Sequence, residues 1–132
     1  MDTRERAELR QVERLSDIAR LGLDREQPRP ELSRLVRHAA AETGARACLI
    51  TVLLDDAQVF LAATELPPWM EEAGGTPIEW ALCTALLGER VPLVVEDTAA
   101  EPGFRDNPLV RAEKIRSYAG APLVSYTGQV LG

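Results

Sequence analysis

The two thiols, Cys48 and Cys83, and the single imidazole, His38, are the first candidates in this 132-residue sequence for a nucleophile or a soft metal ligand. A catalytic thiol requires a nearby base, and none is evident around Cys83. The two cysteines stand far apart without a zinc-binding spacing, and His38 falls off the apolar stripe of its helix. The sequence therefore predicts buried free thiols in a reducing compartment, no metal site and no enzymatic activity.

The acidic residues fall at helix-start positions and not in pairs suited to acid–base catalysis. Two pairs have the spacing of a capping box, in which each side chain satisfies the other residue's backbone N–H: Thr76 with Glu79, and Thr98 with Glu101. Asn107 before Pro108 is a further helix-start signal. The first pair predicts a helix from Thr76 that ends at Gly88.

Composition excludes several classes of partner. The net charge is −6 and the isoelectric point is about 4.8, whereas nucleic-acid binding requires a clustered excess of lysine and arginine. No apolar run approaches the ~20 residues of a membrane span, and the start of the chain lacks the apolar stretch of a signal peptide. We expect one cytoplasmic domain that binds neither nucleic acid nor a membrane.

Two amphipathic helices are predicted before the first strand. Apolar residues recur at helical spacing over 4–21 and over 31–43, and Gly44 is a suitable cap for the second helix. The first helix can cover a sheet or pair with its copy in a second subunit, and its near-heptad spacing is too short to decide between them. We therefore divide the chain into an N-terminal signalling or dimerisation helix, residues 1–25, and a domain of residues 26–132.

Strands alternate with short helices in the rest of the chain. Residues 45–54 form a predicted strand that is apolar on both faces, and the turn at Asp55–Asp56 leads into a second strand at 57–64. The connection from 66 to 75 is predicted to be irregular, with Trp69 acting either as a lid or as a surface contact. With further strands at 91–95 and 116–124, the pattern predicts an α+β fold: an antiparallel sheet with helices on both faces.

The strand at 116–124 carries small residues in a row at Ala119, Gly120 and Ala121. Small side chains in a strand leave room above the backbone for another element or a ligand. The stretch is therefore a candidate pocket floor, with Tyr118 beside the gap. Pro122 cannot donate a hydrogen bond and predicts a local break in the strand pairing.

A series of motifs resembles the GAF domains of bacterial signalling proteins. The matching segments are Arg14–Leu15, Leu21–Asp24, Pro92–Val95, Phe104–Val110, Arg116–Leu123 and Gly128–Gly132. The resemblance implies a GAF/PAS-like sensory or dimerisation module with a pocket between the sheet and its helices, or one that relays a signal through terminal helices. The candidate ligand-binding residues are Phe60, Trp80, Cys83, Phe104, Tyr118 and Gly120.

Signatures that identify the ligand in better-known GAF groups are missing. The sequence lacks the cysteine and adjacent histidine that hold bilin, and it lacks the Asn-Lys-Phe-Asp-Glu signature of cyclic-nucleotide binders. Ala85 stands where many relatives have a histidine two positions after the cysteine, and the cysteine set of the sulfoxide-reducing GAF proteins is absent. The ligand and any cofactor are therefore unassigned.

The leading hypothesis is a non-catalytic small-molecule sensor in signal transduction, and the alternatives are a dimerisation scaffold without ligand and a cysteine-based redox enzyme. We expect a homodimer and an output domain beyond the C-terminus. The resemblance also implies that the strand beginning near Gln129 inserts between the first strand and the strand at 116–124. Because only its first residues are present, we expect a truncated last strand with unpaired backbone groups at the sheet centre.

Overall fold

Seven short helices and five strands alternate along the chain in the computed structural model, which describes all 132 residues. They are α1 (Thr3–Leu9), α2 (Val12–Arg20), α3 (Pro30–Thr43), β1 (Cys48–Leu53), β2 (Ala57–Thr64), α4 (Pro68–Ala73), β3 (Gly75–Pro77), α5 (Ala85–Glu89), β4 (Leu93–Val95), α6 (Pro102–Arg105), α7 (Pro108–Glu113) and β5 (Tyr118–Gly120). Two 3₁₀ turns, Ile78–Trp80 and Thr98–Ala100, complete the secondary structure. No helix combines the length and apolar composition needed to cross a membrane.

The strands form two antiparallel sheets, β1-β2-β3 and β4-β5, instead of the predicted single sheet. The final residues join them: the Leu53 N–H donates to the Leu131 carbonyl, and the Leu131 N–H donates to the Leu123 carbonyl, both at 2.8 Å. Residues 123–132, which we call the terminal hairpin, thus place their returning limb between β1 and the segment after β5. This is the position expected for the last strand.

The predicted strands at 91–95 and 116–124 are shorter in the structure. β5 ends at Gly120, because Pro122 lacks the N–H that would continue the pairing. β4 pairs only with β5 and is buried on one face, since Val95 is 5% exposed whereas Val94 is 69% exposed.

Hydrophobic clusters cover both faces of β1. Consecutive strand residues point to opposite faces, and Leu53 joins one cluster while Val52 joins another, each fully buried. The first cluster contains Leu9, Leu53, Ile78, Ala81, Cys83, Leu86, Leu87 and Val130; the second contains Ile18, Val52 and Leu131. The prediction of a strand covered on both faces is confirmed at this end of β1, whereas Leu49 is 36% exposed.

The predicted N-terminal helix is wrong in one respect, since it is broken at Arg10–Gln11 into α1 and α2. Gln11 has an extended backbone, and the buried Arg14 guanidinium folds back onto the last carbonyls of α1. The break lets α1 pack beside α5 while α2 packs against the terminal hairpin. Val12 is 71% exposed and does not belong to the buried stripe.

The predicted helix from Thr76 to Gly88 is also wrong. Thr76 lies in β3 opposite Gln58, and its hydroxyl accepts a hydrogen bond from Gln58 Nε2 at 3.1 Å instead of capping a helix. Regular helix begins only at Ala85, and Gly88 lies inside it. Pairing with β2 outweighs the local capping signal, because it satisfies the backbone of β3 and buries Thr76.

Three smaller signals gave mixed outcomes. Gly44 adopts the left-handed conformation that caps α3, and the Asn107 side chain accepts from the Leu109 and Val110 N–H groups, both as predicted. The second capping box is wrong, because Asp97 caps the 3₁₀ turn while the Thr98 hydroxyl donates to the Ile115 carbonyl at 2.6 Å. The connection at 66–75 is not wholly irregular, since it contains α4.

Asp17 links α2 to the terminal hairpin. Its carboxylate accepts hydrogen bonds from the hydroxyls of Thr127 and Ser125 and is paired with Arg20 at 2.7 Å. The Thr127 and Ser125 hydrogen bonds are the main cause that lowers the pKa of Asp17 below its ordinary value. A lowered folded-state pKa contributes stability that is present above the unfolded pKa and is lost as the pH falls through the folded pKa.

We expect acidification to remove this contribution. The thermal midpoint of Asp17→Asn should lie below that of the wild type at neutral pH, and the difference should shrink below about pH 4, where carboxylates protonate. Asp24→Asn, at an exposed position, is the matched control and should follow the wild-type curve. Circular-dichroism melts from neutral to acidic pH measure all three proteins, and an Asp17→Asn difference that is constant with pH would contradict the expectation.

Candidate ligand-binding site

A cleft of about 480 Å³ lies between the start of α1, the segment that leads into α5, and the α6–α7 region. The chain after β3 is held extended at Ala81, and this places Leu82 and Thr84 along one wall. The lining residues are Met1, Asp2, Glu5, Glu79, Ala81, Leu82, Thr84, Ala85, Pro102, Gly103, Phe104, Asp106, Asn107 and Pro108. The cleft is therefore assembled from three separate stretches of the sequence.

An aromatic pair adjoins the cleft. The ring of Phe104, which lines it, packs on Tyr118 with centroids 5.7 Å apart and planes tilted by 33°. The Tyr118 ring also lies over Gly120, where an added Cβ would collide with the tyrosine hydroxyl. The space predicted above the small residues of β5 is therefore filled at Gly120 by a side chain from the same strand.

A buried chain of polar side chains runs along the neighbouring sheet face. The Cys83 thiol donates to Gln58 Oε1 at 3.2 Å and is hydrogen-bonded to Thr51 Oγ1 at 3.6 Å. Gln58 Nε2 in turn donates to Thr76 Oγ1. Because every buried polar side-chain atom here has a partner, the chain fixes the side-chain conformations beside the aromatic pair.

Burial governs the chemistry of this layer. It raises the pKa of the Cys83 thiol, and it also raises the pKa of the Tyr118 phenol. The partners of Cys83 are a hydroxyl and an amide, neither of which is a general base. The thiol therefore stays protonated at neutral pH and acts as a hydrogen-bond donor. Cys48 is also free but only half-buried, so the prediction of two buried thiols holds for Cys83 alone.

Phe104 is the one member of the predicted site that lines the cleft. Cys83, Tyr118 and Gly120 connect to it through the aromatic pair and the first core cluster, and Phe60 lies on the same sheet face, opposite Thr51.

Trp80 instead packs edge-to-face against Trp69, with centroids 6.1 Å apart. The Trp69 indole N–H donates to Glu113 Oε1 at 2.6 Å and ties α4 to α7.

Sequence reasoning missed Thr51, Gln58, Arg14 and Asp17. Arg14 and Asp17 are 1% and 4% exposed, although both are charged. A signal was available: Arg14, Asp17 and Ile18 follow one another at the spacing of a single helix face, the face that buries Ile18. Gln58 likewise stands opposite the fully buried Leu53.

The charge of the cleft is acidic. None of its lining residues is basic, and the carboxylates of Asp2 and Glu5 cap each other's backbone at the start of α1. Asp106 is paired with Arg111 at 3.2 Å. No group of three histidine, cysteine or carboxylate side chains is arranged to hold a metal ion.

A second cleft, of about 520 Å³, lies between the end of α3 and the end of β2. Its lining is mainly alanine, flanked by Arg37 and Arg46. It contains none of the predicted site residues and stands apart from the aromatic pair.

Comparisons with known proteins agree on the domain type. A family model described as the GAF domain matches residues 28–132. The chain is 41% identical over 86 residues to a cyclic di-GMP phosphodiesterase of Pseudomonas aeruginosa, a match that covers 64% of this chain and 14% of that protein. The activity in that protein's name therefore belongs to a far longer polypeptide.

A crystal structure of the GAF domain from an Acinetobacter phosphoenolpyruvate-protein phosphotransferase is similar over 100% of this chain and 75% of the other, with a TM-score of 0.61. Its sequence identity is 20%, so this likeness concerns the fold.

Proposed function

The chain belongs to the GAF domain family, and from this premise we propose that it is a regulatory module that senses a small molecule in signal transduction and has no catalytic activity of its own. The observation that carries the proposal is the cleft bordered by Phe104. Its volume of about 480 Å³ falls within the roughly 300–1,000 Å³ of small-molecule sites. Polar side chains along the lining, including Glu79 and Thr84, can orient a ligand.

The aromatic pair and the polar chain form the shaped wall of this site. In the proposal, the ligand contacts Phe104 directly, while Tyr118, Gly120 and Cys83 hold that ring in position. Phe60 lies on the same sheet face as Thr51, and Trp80 packs against Trp69; neither side chain lines the cleft. The charged side chains of the lining are all carboxylates, Asp2, Glu5, Glu79 and Asp106, and we therefore propose a neutral or positively charged ligand.

A passive thiol supports a non-catalytic role. Nucleophilic catalysis by cysteine needs the thiolate and a base. Cys83 has a raised pKa and two neutral hydrogen-bond partners. A sensor needs no nucleophile, because it has only to bind a molecule and change its conformation.

The similarity to a phosphodiesterase of a cyclic dinucleotide supports a signalling context. Since the matched region is 14% of that protein, we infer that the module regulates an output activity carried by another part of a polypeptide in the cytoplasm. The module is proposed to act as a homodimer, because Val12 and Leu35 are 71% and 56% exposed on α2 and α3. Light scattering tests this, and a monomer mass at every concentration would contradict it.

Binding is tested by native mass spectrometry of freshly purified protein, followed by a thermal-shift screen of metabolites. We expect a molecule that copurifies with the protein or one that raises its unfolding midpoint. Phe104→Ala should bind that molecule about tenfold more weakly than the wild type, since the loss of one aromatic wall removes ~1.4 kcal/mol of binding free energy. Tyr126→Ala is the matched control, because Tyr126 is 84% exposed and remote from the cleft lining.

Two results would count against the proposal. Folded wild-type protein that carries no ligand and gains none in the screen would contradict sensing. A ligand that binds Phe104→Ala as tightly as wild type would show that the site lies elsewhere, with the second cleft as the next position to mutate.

A further inference from the structure

Arg14 is the largest fully buried side chain of the molecule, with 1% of its surface exposed. It forms no salt bridge, and its guanidinium donates only to backbone carbonyls: Leu9 at 2.9 Å, Glu8 at 3.2 Å, Val130 at 3.4 Å and Leu131 at 3.5 Å. A charge that is buried without a counter-ion carries a desolvation cost that an apolar side chain would avoid. The guanidinium therefore calls for an explanation beyond packing.

The carbonyls around Arg14 belong to two pieces of chain that are far apart in sequence. Glu8 and Leu9 end α1, while Val130 and Leu131 lie on the returning limb of the terminal hairpin. A guanidinium is planar and presents its donors in a fixed fork. When one set of carbonyls moves, the fork must follow or lose its bonds to the other set.

α1 is the side of this connection that a ligand would meet, because it forms one wall of the proposed ligand cleft. Asp2 and Glu5 line the cleft, and the Arg4 guanidinium holds the helix to α5 by donating to the Gly88 carbonyl at 3.1 Å. α1 has only seven residues, and a break in the helix at Gln11 separates it from α2. A molecule that enters the cleft therefore meets a short helix whose far end is held by Leu9 in the core and by the Arg14 hydrogen bonds.

The terminal hairpin is the receiving side. Leu131 donates to Leu123 and accepts from Leu53, so its position sets the register between β1 and the segment after β5. Asp17 holds the other limb through Ser125 and Thr127. Arg14 and Asp17 both belong to α2, so this helix contacts both limbs of the terminal hairpin.

We propose that Arg14 is a coupling residue: displacement of α1 at the cleft is transmitted through its guanidinium to Val130 and Leu131 of the terminal hairpin. That a ligand causes the displacement rests on the proposed function. The coupling itself does not, and it can be tested on the protein without any ligand.

Gly88 offers a way to move α1 deliberately. A Cβ at this helical position would stand 3.9 Å from the Arg4 guanidinium, an ordinary contact. Gly88→Ala therefore fits, whereas the longer side chain of Gly88→Leu is expected to displace the Arg4 guanidinium and so to release α1 from α5. Both substitutions raise helix propensity by a similar amount, which makes Gly88→Ala the matched control.

The measurement is amide exchange and chemical shift at the Leu53 and Leu131 N–H groups in isotope-labelled protein. We expect Gly88→Leu to shift the Leu131 resonance and to accelerate exchange there about tenfold, the effect of weakening one hydrogen bond by ~1.4 kcal/mol. Gly88→Ala should leave both amides unchanged. In the Arg14→Met background, Gly88→Leu should have no further effect on either amide.

A Gly88→Leu effect of equal size in the Arg14→Met background would overturn the proposal, and it would point to α5 and the contact of Arg90 with Gly128 instead. A folded Gly88→Leu protein with unchanged Leu53 and Leu131 amides would also overturn it. If Arg14→Met does not fold, Arg14→Lys takes its place, because an ammonium group keeps the charge but cannot span both sets of carbonyls. Failure of the ligand screen alone would leave this result standing.

Discussion

Replacing Arg14 with methionine is expected to lower the free energy of unfolding by about 2–4 kcal/mol, mainly by leaving buried carbonyls without partners. The loss falls on the Leu9 and Val130 carbonyls, because the Glu8 carbonyl keeps its bond from the Gln11 N–H and the Leu131 carbonyl keeps its bond from the Leu53 N–H. Methionine is flexible and apolar, so it recovers part of the packing and removes the buried charge. These gains keep the expected loss below that of an empty site.

Urea unfolding followed by circular dichroism measures this difference. Arg10→Met is the control, because Arg10 is an exposed arginine between α1 and α2. Surface changes of this kind usually alter the free energy of unfolding by no more than about 0.5 kcal/mol. Equal stabilities of the two variants would mean that the Arg14 hydrogen bonds do not stabilise the fold. The slope of the transition should stay at the wild-type value, since a change in slope would indicate a different unfolded or native state.

Gly75→Ala is expected to destabilise the protein by about 3 kcal/mol or more, which belongs to the large, diagnostic class of single substitutions. Gly75 starts β3, and an added Cβ would collide with the backbone carbonyl of Gln58 on β2. A backbone atom cannot turn away as a side-chain end can, so the two strands must separate. Thr76 then loses Gln58, and Gln58 in turn no longer holds the Cys83 thiol in its present position.

Gly103→Ala provides the matched control. Gly103 lies in α6 with no atom within 4 Å of an added Cβ, so alanine should be neutral or stabilising by up to about 1 kcal/mol. Urea unfolding ranks the two variants, and the rate at which an aromatic disulfide labels Cys83 reports on the polar chain. Faster labelling is expected only in Gly75→Ala. Equal stability and equal labelling in both glycine variants would contradict the close approach of β3 to β2.

The correctly predicted elements are those whose signals lie within a few residues of one another. The β1–β2 hairpin follows from two apolar strands around Asp55–Asp56, and α3 follows from its apolar stripe and from Gly44, which adopts a left-handed backbone. Asn107 caps α7 because its amide reaches two N–H groups of the next turn. In each case the energy that selects the structure is local.

Where a distant partner competes, the local signal failed. Thr76 and Glu79 have the spacing of a capping box, yet Gln58 and β2 draw Thr76 into a strand. The apolar stripe continues through α1 and α2 and therefore predicted one helix. The break between them is stabilised by Arg14, which binds carbonyls of both α1 and the terminal hairpin. Gln58 is 18 residues from Thr76, and Val130 is 116 residues from Arg14, so no local spacing pattern reveals either contact.

Composition and strand patterning are local properties, so the sequence by itself determined the acidic net charge and the α+β fold class. Its series of motifs resembled the GAF family, and on that resemblance it offered six candidate site residues. Only the tertiary structure decided which of those residues share a wall. Phe104 reaches the cleft, the Tyr118 ring covers Gly120, and Cys83 is held by Gln58 as an inert donor. Each outcome depends on which segments pack together, and packing depends on contacts between residues far apart along the chain.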